Sequence, residues 1–494
     1  MKTKTMRFIL AAVIGALLLP VVGLQSTSPA APASDNKKAD VSRGLRLDLD
    51  EAAPGYVLYD SRGTMNVLID RAGKVVHSWP VGDTSTSVYL LDNGNLLRCA
   101  KDPSPTDFKA GGQGGRIQEV SWDGEMLWDW TFANDKHWLH HDIQPLPNGN
   151  ILAIAWESKS ARECVYAGRR PDLTPEKGLW PTMIIEVQPL RPNGGRIVWE
   201  WHMWDHMVQN HDSTKPNFGT PSEHPELIDV NGAANLPALP PAELARLKAL
   251  GYIPDDAKPA NLGSDFQHAN AIDYNAELDQ IAISIHDFHE IWIFDHSTTA
   301  EEASGHSGGR YNKGGDLLYR WGNPKIYGRG TEKDQALFGQ HDIRWIEKGL
   351  AGAGHLMLFN NNIPGPDGEH SAILELVPPM HVDGSYPVPS EGAFGPETPI
   401  WKYEAPDKKS FHSNFISGAR RLPNGNTLIC SGRKGRIFEV TPEGEIVWEF
   451  WEPFSDNHAV FRATKYPPDH PALAGRDLKP IDPQPEHAQA KPSE

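Results

Sequence analysis

Gly124-Glu125-Met126-Leu127-Trp128-Asp129-Trp130 returns near the far end of the chain as Gly444-Glu445-Ile446-Val447-Trp448-Glu449-Phe450. Both segments place one aromatic four residues after a glycine and a second six after it, and a spacing of two keeps both rings on the same face of a strand. The pattern recurs at Gly73 with His77 and Trp79, at Gly195 with Trp199 and Trp201, and at Gly315 with Tyr319 and Trp321. A sixth copy has Glu397 in the glycine position, with Trp401 and Tyr403. Each copy follows a β-rich run such as Ile117-Gln118-Glu119-Val120 or Ile437-Phe438-Glu439-Val440, so the unit is strand, turn, strand. Upstream lies a second repeat: Leu91-Asp92-Asn93-Gly94-Asn95, Leu146-Pro147-Asn148-Gly149-Asn150 and Leu422-Pro423-Asn424-Gly425-Asn426. Here Asn-Gly supplies the positive φ angles of a tight hairpin. Four strands per repeat and six repeats predict an all-β fold, a six-bladed β-propeller.

The same reading closes the ring. Gly55-Tyr56-Val57-Leu58-Tyr59 and Asn66-Val67-Leu68-Ile69 open the first unit without an innermost strand before them, while His458-Ala459-Val460-Phe461-Arg462-Ala463 stands alone after the last complete unit. The C-terminal strand is therefore expected to complete the first blade, which removes the open sheet edges. The predicted organisation is a signal peptide at 1–33, a linker at 34–50, the propeller at 51–470 with an insert at about 204–264, and a mobile tail at 471–494. A short helical stretch, Pro241–Leu250, is expected within the insert.

Lys2, Lys4 and Arg7 precede an apolar run from Phe8 to about Leu24, and Ala31-Pro32-Ala33 forms a small-x-small cleavage pattern. This reads as an export signal, so the mature protein is expected in the periplasm or outside the cell, with no membrane association after cleavage. Three cysteines without a C-x-x-C, Cys99, Cys164 and Cys430, read as buried free thiols. The 494 residues carry 47 Lys+Arg against 64 Asp+Glu, a net charge of −17. No basic run interleaves with aromatics, and nucleic-acid partners are excluded. The 45 Gly and 42 Pro are too many for a helical bundle, and 16 Trp supply a core.

Counting back from the Asn-Gly-Asn turns gives the innermost strand starts as Thr86, His141 and Ser417. Gln267-His268-Ala269-Asn270 and Gln340-His341-Asp342-Ile343 are comparable starts. His412 and His458 stand near two more, and His286-Asp287-Phe288-His289 follows the second strand of the fourth blade. Innermost strands line the axis of a propeller, so these side chains are expected to converge on one funnel. A lone histidine there commonly caps a turn, but several at one level point to a site. Arg344 and Arg420 each lie three residues from a channel position, which on a regular strand is the opposite face, and both are expected to be in structural pairings.

Gln267-His268-Ala269-Asn270-Ala271-Ile272, Gln340-His341-Asp342-Ile343, Trp201-His202-Met203-Trp204-Asp205-His206, the stretch from Phe411 to Val440 and the blade-closing Gly-x-x-x-Trp-x-Trp strands resemble the bacterial arylsulfotransferases, which are PAPS-independent aryl-sulfate sulfotransferases with six-bladed propellers. The resemblance runs from about Gly55 to Tyr466. It implies that His341 takes the sulfuryl group and that His141 and His268, the latter with Asn270, match two further family histidines. Where the family's studied catalysts carry an Arg after the second strand of the fourth blade, this chain has His286. The implied chemistry is ping-pong sulfuryl transfer from an aryl sulfate to a phenol, without cofactor. His341 would form a sulfohistidine and His268 serve as acid and base. His141, His286 and Arg462 would hold sulfuryl oxygens, and Asn270, His412 and His458 complete the candidate substrate-binding set.

Two other classes fit the same residues. His141, His268, His286 and His341 could together hold one transition-metal ion such as iron, copper or zinc. Asp142, Asp287 and Asp342 each neighbour a candidate ligand in sequence, although regular strand alternation turns Asp142 and Asp342 away from the histidines beside them. The fold is equally compatible with a non-catalytic ligand-binding propeller.

Overall fold

The structure, a computed structural model, describes residues 43–61, 65–232, 245, 248–249, 263–482 and 484. The leader lies outside these residues. Of the helix expected at Pro241–Leu250, only Ala245, Lys248 and Ala249 are described, and they are helical. Six antiparallel sheets form the blades of a propeller. Their innermost strands are Ala463–Tyr466, Ser85–Leu90, His137–Pro145, Ala269–Asn275, His341–Trp345 and Gly418–Arg421 for blades 1 to 6. Their outer strands are Val75–Pro80, Met126–Thr131, Gly194–His202, Leu317–Trp321, Trp401–Tyr403 and Ile446–Trp451. The C-terminal strand completes blade 1 by pairing Tyr466 with Tyr56 and Ala463 with Tyr59.

The repeated aromatic is the device that joins blade to blade. Trp79 donates its indole N–H to the Ser121 carbonyl at 3.1 Å, Trp128 to Gly194 at 2.8 Å and Trp201 to Gly315 at 2.7 Å. Trp321 donates to Pro396, Trp401 to Pro442 and Trp448 to Arg71, each at 2.8 Å. Every acceptor lies just before or at the first residue of the outer strand of the next blade, and the sixth bond returns to the first. The motif found in the sequence is thus a closed, one-directional ring of hydrogen bonds, with four of its six indoles fully buried. Each buried ring also removes apolar surface from water, a contribution of about 1.5–3 kcal/mol. Apolar clusters fill the seams, for example Leu58, Trp79, Leu96 and Tyr466 between blades 1 and 2, and Phe359, Phe411, Ile429 and Phe438 between blades 5 and 6.

The Asn-Gly-Asn turns carry a second tie. Asn95, Asn150 and Asn426 donate their side-chain N–H to Glu119, Glu186 and Glu439 on the third strand of the same blade, at 2.6, 2.5 and 2.7 Å. In these turns the left-handed conformation falls on the glycine alone, at φ 87°, 82° and 90°. Each is therefore a longer turn ending in a glycine bulge and not the two-residue hairpin expected from Asn-Gly.

Two boundary expectations differ from the structure. Gly44–Asp48, assigned to the linker, forms a fifth strand on the outer edge of blade 6 against Ile446–Trp451. Its side chains are half-buried or exposed, so no core pattern marks it in the sequence. The tail from 471 begins as chain packed on blade 1. Ala472 and Leu473 are buried with the seam of blades 1 and 2, and Ile481 donates its backbone N–H to Val75. Its Pro and charge content hides the few apolar contacts that hold it. Cys99, Cys164 and Cys430 are buried free thiols. Among the described residues no helix is long and apolar enough to cross a membrane.

Trp201→Phe keeps an aromatic in place but strands the buried Gly315 carbonyl. Urea unfolding is expected to show a loss of about 1–3 kcal/mol; an unchanged midpoint would mean the ring of indole bonds contributes nothing.

Candidate active site

The innermost strands are irregular where they meet the axis. Pairing slips at Ser85/Val88, Ala153/Ala155, Ala269/Ala271 and His341/Arg344, and His141, His268, Asp342 and Ser417 have φ of 56°, 52°, 59° and 92°. A bulge of this kind breaks the two-residue alternation and lets consecutive side chains share one face. That is why both members of the pairs His141-Asp142 and His341-Asp342 reach the axis, the histidines on one level and the aspartates on another.

The aspartate level is a buried ion network fed by all six blades. Asp142 accepts from Arg344 at 2.6 Å and Arg462 at 3.0 Å. Asp342 accepts from Arg420 at 2.6 Å and Arg344 at 3.0 Å and is ion-paired with Arg462 at 2.7 Å. Tyr89 donates to Asp142 at 2.7 Å, and Asp273 lies 3.5 Å from Arg344. Asp142 and Asp342 are sealed from solvent. Burial would raise the Asp342 carboxyl, but the three guanidinium groups outweigh it and hold the group well below the usual carboxylate range. Arg344 and Arg420 are thus paired as expected, but on the axis and not on the opposite face, because the bulges shift the alternation. Arg462, expected among the groups holding sulfuryl oxygens, is committed to the two aspartates and is 6% exposed.

Above this floor the imidazoles form a row. Ring centres are 4.5 Å apart for His141 and His268, 5.3 Å for His268 and His286 and 5.4 Å for His286 and His341. The structure therefore brings together four of the expected residues. His412 and His458 stand apart from that row: His412 bonds Asn362 at 3.1 Å and His458 bonds Glu452 at 3.2 Å. Asn270 is fully buried and donates to the Gln340 carbonyl at 2.8 Å, a tie between blades 4 and 5.

Each imidazole has a distinct electronic state. His341 Nδ1 faces the Asn361 oxygen at 2.9 Å. The Asn361 amide N–H groups are spent on the Ser413 and Ile416 carbonyls, so its oxygen must accept and Nδ1 must carry the proton. Nε2 is then the bare nitrogen, accepting the Ile416 N–H at 3.1 Å. Burial, together with His286, pushes the His341 pKa well below its ordinary value, which keeps that nitrogen unprotonated. His268 is the opposite case. Burial lowers its pKa, but Asp265 at 2.5 Å from Nδ1 overcomes this and raises it to about 9. Asp265 is itself held by the Trp156 indole at 2.9 Å. His141 is buried and neutral, its pKa pushed well down by burial and the neighbouring imidazoles, and its Nδ1 meets His140 Nδ1 at 2.8 Å. His286 Nδ1 lies 2.6 Å from Asp287. Of the three aspartates beside candidate residues, Asp287 alone serves its neighbour.

Asp265, Asn361, His140 and the Ile416 N–H are missing from the sequence-derived set. Asp265 was detectable as an aspartate three residues before His268; the others join the site only through the fold. Phe415, Ile416, Ala459 and Phe461 form a small apolar cluster beside the row, with the Phe461 ring 6.2 Å from His141. Among the described residues, the His, Cys, Asp and Glu donors close enough to share one ion are not His141, His268, His286 and His341 but His206, His306 and Asp316.

The arylsulfotransferase family model matches residues 50–449. The chain belongs to the arylsulfotransferase family. It is a sulfotransferase enzyme, and its general activity is aryl sulfotransfer. No curated protein matches it closely enough to report. Solved structures similar to it include a protein of unknown function from Bacteroides caccae, at 12% identity over 84% of this chain and 99% of that one, TM-score 0.42. A streptogramin B lyase is similar at 10% identity over 83% and 82%, TM-score 0.37. The virginiamycin B lyase of Staphylococcus aureus is similar at 11% identity over 82% and 88%, TM-score 0.34. Likenesses this distant say nothing about activity.

Gly112 gives the His141 ring its space. It accepts the His141 N–H at 2.7 Å, its φ is +73°, and a Cβ there would overlap the imidazole. Gly112→Ala is expected to displace His141 and lower aryl sulfotransfer by about 100-fold, the penalty of a misplacement near 1 Å. Activity equal to the parent would remove His141 from the site.

Proposed function

We propose that this arylsulfotransferase works by ping-pong transfer through a sulfohistidine on His341. The single observation that carries this reading is the pairing of a neutral, tautomer-fixed His341 with a His268 whose pKa is raised to about 9. In the first half-reaction the Nε2 lone pair of His341 gives up its bond from the Ile416 N–H and attacks the sulfur of an aryl sulfate while the bond from sulfur to the aryl oxygen breaks. The departing phenoxide takes the proton from His268, whose pKa lies close to the value of about 10 for a phenol. The positive charge on the sulfonated imidazole is stabilised through its Nδ1–H bond to Asn361. In the second half-reaction neutral His268, oriented by Asp265, accepts the proton of an acceptor phenol. The phenol oxygen bonds to sulfur, and the sulfur–nitrogen bond electrons return to Nε2. His286 and His141 would hold the sulfuryl oxygens, and the Phe415 and Phe461 cluster would take the aryl ring. No cofactor enters either step.

The His286 position supports a sulfuryl-binding role without a permanent cation. His286 Nδ1 lies 2.6 Å from Asp287, and its ring stands between those of His268 and His341. The N-terminal pattern of Lys2, Lys4 and Arg7 followed by an apolar run and Ala31-Pro32-Ala33 supports export, with the enzyme acting in the periplasm or outside the cell.

With a chromogenic aryl sulfate and a phenol acceptor, His341→Ala is expected to lose more than about 1,000-fold in activity. The parent rate is expected to stay level through neutral pH, where His341 is already unprotonated, and to fall as the pH rises through about 9 and His268 loses the proton needed by the leaving group. Asp265→Asn removes the group that holds that proton, so the alkaline limb should move down by about 1–3 pH units. Full activity in His341→Ala would overturn the nucleophile assignment, and an unmoved limb in Asp265→Asn would overturn the acid assignment.

A further inference from the structure

Away from the row, three side chains converge where the insert after blade 3 meets the long connection between the third and outer strands of blade 4. His206 follows the short turn Met203–Asp205. His306 and Asp316 belong to the connection, which also holds the helix Ala300–Ala303. The Asp316 Oδ1 atom lies 2.8 Å from His206 Nδ1 and 2.7 Å from His306 Nδ1, and the ligand atoms of all three residues lie within 4.8 Å of one another. His206 is fully buried, Asp316 is 4% exposed, and His306 reaches the surface.

We propose that His206, His306 and Asp316 form a divalent metal site of the zinc type. The donor set, two imidazoles and one carboxylate, is one that zinc favours, and three protein ligands leave a fourth position for water or another ligand. The orientation of His206 is the deciding detail. Its Nε2 lies 2.8 Å from the Ala303 carbonyl, which can only accept. Nε2 therefore carries a proton, and in the neutral ring the lone pair is on Nδ1, aimed at Asp316 and His306. A ligating histidine characteristically has its second nitrogen fixed in this way by a carbonyl or carboxylate. With an ion in place, Nδ1 would bind the cation while Nε2–H keeps its bond to the Ala303 carbonyl. The Trp201 indole stacks on His206 with ring centres 5.6 Å apart and planes within 3°, holding the ring still.

Tetrahedral coordination at the usual zinc distances separates neighbouring donor atoms by roughly 3.3 Å, so an ion needs the two contacts to Asp316 to open by about half an ångström. His306 has the room to do this, with a side chain 60% exposed. His306 also lines a cavity of about 370 Å³ together with Trp204, Asp205, Phe218, His224 and Leu227. A bound ion would clamp the start of the insert to the edge of blade 4, adding a metal bond to the neighbouring Trp201–Gly315 link. The site is separate from His341 and independent of the reaction proposed above.

The test uses the whole mature protein, stripped with chelator and titrated with Zn2+ by calorimetry and with Co2+ by visible absorption. Expected are one Zn2+ per chain, tetrahedral cobalt bands, and a higher melting temperature with Zn2+. His306→Ala, at a surface position that leaves folding and aryl sulfotransfer intact, should weaken binding by more than about 100-fold, beyond the loss seen when only an outer-shell partner is removed. Asp316→Asn should do the same, while His286→Ala should retain the ion. No binding by the parent, or binding unaffected by His306→Ala, overturns the site and leaves the trio as an ion pair only.

Discussion

A closed ring of six blades has six seams to hold, and one hydrogen bond recurs at all of them. The indole N–H of one blade reaches the carbonyl that opens the outer strand of the next. Tryptophan suits the role because it fills the seam with apolar ring while its one donor satisfies a carbonyl that would otherwise be buried alone. Since every bond points the same way round, no blade is special. The enzyme's chemistry is then free to occupy the one region where blades do differ, the starts of their innermost strands.

There the fold trades regularity for chemistry. Bulges bring consecutive residues to the axis, and the result is two layers with opposite electrostatic logic. In the lower layer carboxylates and guanidinium groups neutralise one another, and removing one member of such a buried set commonly costs about 3–5 kcal/mol because its partner is left charged and unpaired. In the upper layer imidazoles stand side by side. Burial and mutual repulsion strip protons from His141 and His341, and a single carboxylate, Asp265, restores one to His268. A separation of proton affinities among chemically identical groups is what acid-base catalysis requires.

Much of this was legible in the sequence. The glycine and aromatic spacing revealed the six blades because it encodes the seam bond itself; the strand start His141 was found by counting from its hairpin turn, and His268 and His341 by the likeness of their own strand starts. What escaped were features with no periodic trace. The bulges reversed the expected face of Arg344 and Arg420, since alternation counted through an irregular strand is off by one. Arg462 was assigned to substrate although two aspartates from distant blades hold it. Asn361 and the Ile416 N–H fix the state of His341 from 20 and 75 residues away, one from the paired strand of blade 5 and the other from the chain entering blade 6. The Gly44–Asp48 strand escaped for a simpler reason: it lies on the rim and buries little.

The ion network fed by all six blades has one more consequence. A propeller with an open axis is a tunnel; one floored by salt bridges is a cul-de-sac. A group that reaches the imidazoles over this floor leaves on the side from which it came.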